Sequence, residues 1–226
     1  MGTIALVGGN EFRPNCVAMD REILRRVGNL TPRVLILPTA AASEEPGAAA
    51  ANGIRHFQGL GLEAEALMVV SRADAENDAL AARVKDADVI YLTGGDPAYL
   101  LETLRHSAVW AAIERLYRQG AAVVGSSAGA MALSAQMRRG PRDWLPGLGL
   151  APRLAVLPHH EGCTEQEARD QREALPSSLV LLGIAAATAC INTGDDAWQV
   201  AGEGSVCVYG EYSADRYATG ASFALP

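Results

Sequence analysis

Residues 121–133 read AAVVGSSAGAMAL. The first four residues are an apolar run typical of a buried strand, and the last four form a helical pattern. Between them lies Gly125-Ser126-Ser127-Ala128-Gly129, the pattern G-x-S-x-G in the strand–turn–helix context that it requires. A strand that runs directly into a helix is a building unit of α/β folds.

Ser127, at the apex of this turn, is a candidate nucleophile. A serine held on a sharp turn projects its Oγ above the strand ends, and small flanking residues let the backbone turn. The helix that begins there points free N–H groups toward a developing oxyanion, with the amide of Ala128 as the natural donor. A structural turn rich in glycine and serine is the alternative, and it stays open.

The N-terminal two thirds of the chain repeat this alternation of strand and helix. Short apolar runs, typical of parallel strands covered on both faces, lie at 4–7, 34–37, 66–70, 89–92 and 121–124. Helical patterns lie at 17–26, 47–60, 73–85, 98–106 and 108–119. Ser71 or Asp74 could cap the third of these helices, and Pro97 is near the start of the fourth. Because the alternation requires crossover connections, we predict a mainly parallel, doubly wound sheet with helices on both faces.

The sequence pattern changes after about residue 148. Further strands are predicted at 154–157 and 179–184, around a polar helix at 164–175. The tail then predicts a small meander through 189–191, 198–200 and 206–209. Since no repeat or long linker interrupts the chain, we expect a single domain over 1–226.

Composition narrows the function classes. The chain has 226 residues, 49% of them hydrophobic, and a formal net charge of −7. The acidic balance argues against binding to nucleic acid or to an anionic membrane by bulk charge. The longest apolar run, 179–191, is shorter than a membrane span, and the N-terminus does not resemble a signal peptide, so we expect a cytoplasmic protein. The sequence leaves open whether it forms a homodimer.

Two adjacent histidines are the candidates for a general base. His159 and His160 follow the apolar run 154–158, where a parallel strand would deliver a side chain to the same sheet edge as Ser127. The other two, His56 and His106, lie in helical stretches and are expected to be ordinary, partly exposed residues. A His-His pair can also be half of a metal site, but no third ligand stands at a recognisable spacing, so no metal is predicted.

The sequence offers several candidates for the carboxylate that would orient the histidine. Asp143 lies between the nucleophile and the histidine, but it stands among several arginines, where an aspartate is usually a solvated loop residue. Glu161, Asp195 and Asp196 are competing candidates.

A second glycine-rich loop follows the strand at 89–92. Residues 93–97 read TGGDP, and two glycines at a strand end let backbone N–H groups line a cavity. Ligand sites of doubly wound sheets lie outside the carboxyl ends of the strands, so this loop could supply the other half of an oxyanion hole. A tight βα turn is the plainer alternative. No nucleotide-binding or metal-binding motif is present, and no cofactor is predicted.

Taken in order, the TGGD loop at 93–96, the GSSAGA turn at 125–130 and the LPH segment at 157–159 resemble the S51 serine peptidases, the family of aspartyl dipeptidase and the cyanophycinases. The resemblance implies a flavodoxin-like fold of the class I glutamine-amidotransferase type. It implies Ser127 as nucleophile, His159 as base in preference to His160, and the amides of Gly95 and Ala128 as oxyanion hole. It also favours Asp143 as the acid.

Two departures from the family pattern concern the acid and the substrate site. Cyanophycinases carry their acid in an Ile-Asp-Glu stretch of a late strand, whereas residues 183–189 here read GIAAATA. The dipeptidase has an arginine after a Gly-x-Thr segment, but Glu165 stands at that place here. An Asp-X preference is therefore in doubt, and the predicted substrate-binding residues are Asp96, His160, Arg169 and Arg172.

The sequence thus predicts a serine hydrolase that cleaves a small peptide or isopeptide through a Ser-His-Asp acyl-enzyme mechanism. A serine esterase shares the Ser–Asp–His order but differs in its usual oxyanion loop. A non-catalytic small-molecule binding protein on the same fold is the other alternative, because the family acid and arginine are missing.

Overall fold

The structure is a computed structural model in which residues 1–140, 142–194 and 196–226 are described. The α-helices are α1 (Val17–Leu24), α2 (Pro46–Gly59), α3 (Arg72–Ala75), α4 (Asp78–Arg83), α5 (Pro97–Leu104), α6 (Ala108–Arg118), α7 (Ala128–Leu133) and α8 (Glu165–Glu173). The strands are β1 (Ile4–Val7), β2 (Val34–Leu37), β3 (Ala64–Ala66), β4 (Val89–Leu92), β5 (Ala122–Ser126), β6 (Ser134–Gly140), β7 (Asp143–Pro146), β8 (Ala151–Pro158), β9 (Val180–Ile184), β10 (Thr188–Gly194), β11 (Ala197–Gly202), β12 (Ser205–Tyr209), β13 (Ala214–Ala218) and β14 (Ser222–Ala224).

The first sheet contains the predicted doubly wound core. Its strand order is β14-β11-β10-β1-β5-β4-β2-β3, and the five strands from β1 to β3 in this order are parallel. Side chains of β1 alternate between two apolar clusters, with Leu6 in one and Ala5 and Val7 in the other. Because both faces are covered, the strands are apolar throughout instead of alternating. The predicted α/β fold with a mainly parallel sheet is confirmed.

The C-terminal region is larger than the predicted meander. β10, β11 and β14 extend the first sheet by antiparallel pairing from β1, while β12 joins a second, six-stranded sheet of order β13-β12-β9-β8-β6-β7. In that sheet β8 is parallel to both β6 and β9. The first two strands of the predicted meander, β10 and β11, pair with each other as expected, whereas β12 pairs with β9 and β13 in the second sheet.

Two local predictions also change. The single helix expected at 73–85 is divided into α3 and α4, because Asn77 accepts hydrogen bonds from the amides of Ala79 and Leu80 and so caps a new helix. Ser71 caps α3 as predicted. The strand expected at 66–70 is the three-residue edge strand β3, which ends at Ala66.

A buried, hydrogen-bonded pair of His56 and Asp20 lies below the carboxyl end of the first sheet. His56 Nε2 lies 2.7 Å from Asp20 Oδ2, and the two side chains are only 6% and 1% exposed. The prediction that His56 is partly exposed is therefore wrong for its side chain. Burial raises the pKa of Asp20, while the hydrogen bond with His56 opposes that rise. His56 also contacts the ring of Phe12, which packs on Tyr91 of β4.

In the described part of the chain, no helix has both the length and the apolar composition needed to cross a bilayer.

We expect that Asp20→Ala lowers the free energy of unfolding by about 3 kcal/mol, because removing one partner of a buried pair leaves the other without compensation. Urea denaturation measures this loss. Asp215→Ala, at an exposed position of β13, is the matched control and should change stability by less than about 0.5 kcal/mol. Equal stability of the two variants would contradict a structural role of the pair.

Candidate active site

The carboxyl ends of three neighbouring parallel strands form the edge on which the candidate site lies. β1 pairs with β5 so that Val7 lies beside Ser126, and β5 pairs with β4 so that Gly125 lies beside Leu92. The loops that follow these three strands therefore meet. The second sheet contributes its strand β8, whose following residue His159 donates its backbone N–H to Gly8 O at 2.9 Å.

Ser127 lies on a strained turn between β5 and α7. Its backbone has φ 48° and ψ −105°, a conformation that non-glycine residues rarely adopt. Two backbone hydrogen bonds hold it there: its N–H donates to Val7 O at 2.9 Å, and its carbonyl accepts from Met131 N at 3.0 Å. This is the strained strand–turn–helix geometry that exposes a nucleophilic serine above a sheet.

Ser127 and His159 are brought together, 32 residues apart in the chain. Ser127 Oγ lies 3.2 Å from His159 Nε2. The imidazole packs against the backbone of Gly9, where a Cβ atom would lie 2.1 Å from His159 Cε1. Only glycine at this place leaves room for the ring. The pair has the distance required for proton transfer from a serine to a histidine.

Two backbone amides beside this pair are free. Within the described residues, neither Gly95 N nor Ala128 N has a protein acceptor. Gly95 has φ 135°, and a Cβ there would lie 2.2 Å from Ala40 O, so its conformation requires glycine. An oxyanion hole consists of such free backbone amides close to the nucleophile.

The structure does not bring Asp143 to His159. Its carboxylate accepts a hydrogen bond from Arg139 Nε at 2.8 Å and is about half exposed on the β6–β7 hairpin. In the described residues no hydrogen bond links any carboxylate to His159. Ser127 and His159 therefore form a dyad, and Asp143 does not complete it as a third member in this structure.

The competing carboxylates lie in different places. Asp196 pairs with Arg153 in the turn between β10 and β11, at the opposite edge of the sheet. Glu161 lies at the correct edge, where its Oε2 accepts a hydrogen bond from Ala186 N at 2.9 Å. Asp195 lies outside the described residues.

All four predicted substrate-binding residues have partners elsewhere in the structure. Asp96 caps α5 by accepting from the amides that begin the helix. His160 is buried and bonds to Tyr209 Oη at 2.9 Å, and Arg172 is buried against the carbonyls that follow α8. Burial leaves His160 and Arg172 little surface with which to meet a substrate. Arg169 pairs with Glu165 on α8, and among the described residues no hydrogen bond links it to Ser127 or His159.

Sequence reasoning missed Glu11. Its Oε1 accepts from Gly94 N and its Oε2 accepts from Ser126 Oγ, both at 2.7 Å. Its position after the first predicted strand places Glu11 at this edge of the sheet, but only the structure shows which groups its carboxylate contacts.

Two titratable groups below the site, Cys16 and Tyr91, are neutral at ordinary pH. Burial raises the pKa of Cys16 to about 11, so its thiol stays protonated, and Sγ donates to Asn10 O at 3.1 Å. Burial and the nearby carboxylates of Asp20 and Glu11 raise the pKa of Tyr91 well above its usual value. Neither group competes with Ser127 as a nucleophile. The described residues contain no group of three side chains suited to hold a metal ion.

Replacing Ser127 with glycine should relieve the backbone strain. We expect the free energy of unfolding of Ser127→Gly to exceed that of Ser127→Ala by about 1 kcal/mol, because only glycine adopts this conformation without steric cost. Urea denaturation of the two variants measures the difference. If the alanine variant is as stable as the glycine variant, the turn is not strained.

Comparison with known proteins agrees with this geometry. Residues 4–197 match the profile of "Peptidase family S51". The chain is 28% identical to a cyanophycinase of Trichormus variabilis over 221 residues, which cover 91% of this chain and 72% of the relative. A cyanophycinase of Synechococcus elongatus is 27% identical over 220 residues, 92% of this chain and 67% of that protein.

Two solved structures are also similar. A peptidase from an acI-B1 Actinobacterium superposes with a TM-score of 0.87 at 30% identity, covering 100% of this chain and 97% of that one. A putative peptidase E protein from Listeria monocytogenes shares the fold, with a TM-score of 0.61 at 18% identity over 96% of this chain and 98% of that chain. The chain therefore belongs to peptidase family S51 and is a serine-type peptidase.

Proposed function

We propose that this peptidase cleaves a small peptide or isopeptide bond through an acyl-enzyme formed on Ser127. The observation that carries the proposal is the 3.2 Å contact between Ser127 Oγ and His159 Nε2, on a strained turn beside two free backbone amides. A nucleophile, a base and an oxyanion hole are the three parts that acyl transfer requires.

In this mechanism His159 Nε2 accepts the proton of Ser127 Oγ while the oxygen attacks the substrate carbonyl. The amides of Gly95 and Ala128 donate to the oxyanion of the tetrahedral intermediate. The imidazolium of His159 then protonates the leaving amine, and the acyl-enzyme forms. A water molecule, deprotonated by the same imidazole, releases the acyl group and restores Ser127.

The carboxylate that orients His159 is proposed to be Glu161, with Asp143 as the alternative. Glu161 lies two residues after the base and bonds to Ala186, within the late stretch 183–189 where the resembling cyanophycinases carry their acid. One oxygen of its carboxylate has no hydrogen-bond partner among the described residues and is free to accept from the imidazole. Asp143 would first have to leave Arg139.

The substrate class follows from the relatives and from the charges near the site. The two solved relatives are described as peptidases, and the curated relatives are cyanophycinases. Glu11 is close to Ser127, whereas the arginines expected to meet an acidic side chain are paired with other groups on or after α8. Short or side-chain-linked peptides without a required aspartate at the amino side therefore fit the site better than Asp-X dipeptides.

A fluorophosphonate tests the nucleophile. We expect one adduct per chain in the intact mass of the wild-type protein, and none in Ser127→Ala or His159→Ala, because only a deprotonated serine attacks phosphorus at a useful rate. Ser205→Ala, in β12, is the matched control and should label as the wild type does. An unlabelled but folded wild-type protein would contradict the proposal.

A second experiment identifies the acid. Glu161→Gln should slow labelling by about 10⁴-fold, the effect seen when a triad carboxylate becomes an amide, whereas Asp143→Asn should change it less than threefold. The reverse pattern would assign the role to Asp143. Equal, small effects of both substitutions would mean that His159 acts without a carboxylate from either position.

A further inference from the structure

We propose that Glu11 is a positioning residue that holds the two halves of the oxyanion hole in register. The inference rests on the proposed function, since it concerns the same site. It assigns a role to a carboxylate that takes no part in the proton transfers described above.

The carboxylate of Glu11 connects the two loops that carry the free amides. One oxygen accepts from Gly94 N, next to Gly95, and the other accepts from Ser126 Oγ, next to the nucleophile. Both distances are 2.7 Å, within the usual range for N–H···O and O–H···O hydrogen bonds. A carboxyl group is suited to this task because it offers two oxygens at a fixed separation.

On the first loop, the Glu11 contact fixes the direction of the Gly95 N–H. The amide before it, Gly94 N, donates to Glu11, and the amide after it, Asp96 N, donates to Ala40 O at 2.8 Å. These two bonds hold the peptide planes on either side of the Gly94–Gly95 peptide, and so restrict where the Gly95 N–H can lie. The restriction matters at this place because glycine adopts many backbone conformations easily.

On the second loop, Glu11 supports the strained turn. Ser126 is fully buried, and its hydroxyl donates to Glu11 immediately before Ser127 takes its unusual conformation. The bond complements the contact from Ser127 N to Val7 O. Because one carboxylate holds both loops, the Gly95 and Ala128 amides keep a fixed relation to each other.

Glu11 can act in this way because its own loop is held firmly. Its neighbours Asn10 and Phe12 have φ of 59° and 63°. The ring centroid of Phe12 lies 4.8 Å from that of Tyr91 and 5.9 Å from that of Phe57. The Cys16 thiol bonds to Asn10 O. The carboxylate is thus presented from a loop that is anchored in the apolar core.

The test compares fluorophosphonate labelling of Glu11→Ala, Glu11→Gln and Glu11→Asp, separating the maximal rate from the inhibitor concentration at half-maximal rate. Glu11→Ala should lower the maximal rate by about 100-fold, as the loss of an oxyanion donor does, with the half-maximal concentration unchanged within threefold. Glu63→Ala, on an exposed pair with Arg33, is the control and should match the wild type.

The conservative variants separate positioning from charge and from folding. Glutamine can still accept from Gly94 N and donate to Ser126 Oγ, so Glu11→Gln should keep the maximal rate within tenfold of the wild type. Aspartate is one methylene shorter and cannot reach both partners, so Glu11→Asp should resemble Glu11→Ala. This comparison decides the matter if the alanine variant does not fold.

Three outcomes would overturn the inference. These are a maximal rate of Glu11→Ala close to that of the wild type, an equal loss in the glutamine and alanine variants, or full activity of the aspartate variant. If the wild type and Glu11→Ala are labelled equally, only the role of Glu11 is refuted. An unlabelled wild type refutes the proposed nucleophile instead.

Discussion

The active site depends on two backbone carbonyl groups: that of Val7, the last residue of β1, and that of Gly8, which follows it. Val7 O accepts the N–H of Ser127, and Gly8 O accepts the N–H of His159, each at 2.9 Å. These two bonds join a loop of the first sheet and a strand of the second to one rigid element. The nucleophile and the base therefore meet although they belong to different sheets.

Backbone strain is concentrated at the same edge. Five non-glycine residues at this edge have a positive φ, namely Asn10, Phe12, Ser127, His159 and Ala187. Each such conformation costs on the order of 1–3 kcal/mol of folding free energy. The surrounding structure holds them in place: Ala187 N donates to Gly9 O, and the strands below are buried along their whole length. Strain of this kind persists where a fixed geometry is needed, which is consistent with two preformed amides beside a nucleophile.

The sequence predicted the parts of the site that are encoded locally. The turn around Ser127, the glycine loop at 93–96 and the histidine after the run 154–158 were all recognisable, because each lies directly after an apolar strand. The second sheet was not predictable in the same way, because its strands do not alternate regularly with helices. It combines parallel pairing of β8 with β6 and β9 and antiparallel pairing of β12 with β9, and no simple sequence pattern indicates this mixture.

The side-chain partners of Asp143 and Glu11 could not be predicted from the sequence either, because the fold decides them. Asp143 was favoured by its place in the chain, yet an arginine four residues away takes its carboxylate. Glu11 has an ordinary surrounding sequence, and only the meeting of three strand ends reveals its two contacts. Burial of His56 with Asp20 was equally hidden, because the partner lies 36 residues away.

The central claim is that Ser127, and no other serine, is the nucleophile of this peptidase. Tandem mass spectrometry of the proteolysed fluorophosphonate adduct tests it most directly, because it reads the modified residue itself. The account predicts a single phosphonylated residue at Ser127, with its neighbour Ser126 unmodified. Modification of Ser126, or of any residue away from the β5–α7 turn, would contradict it.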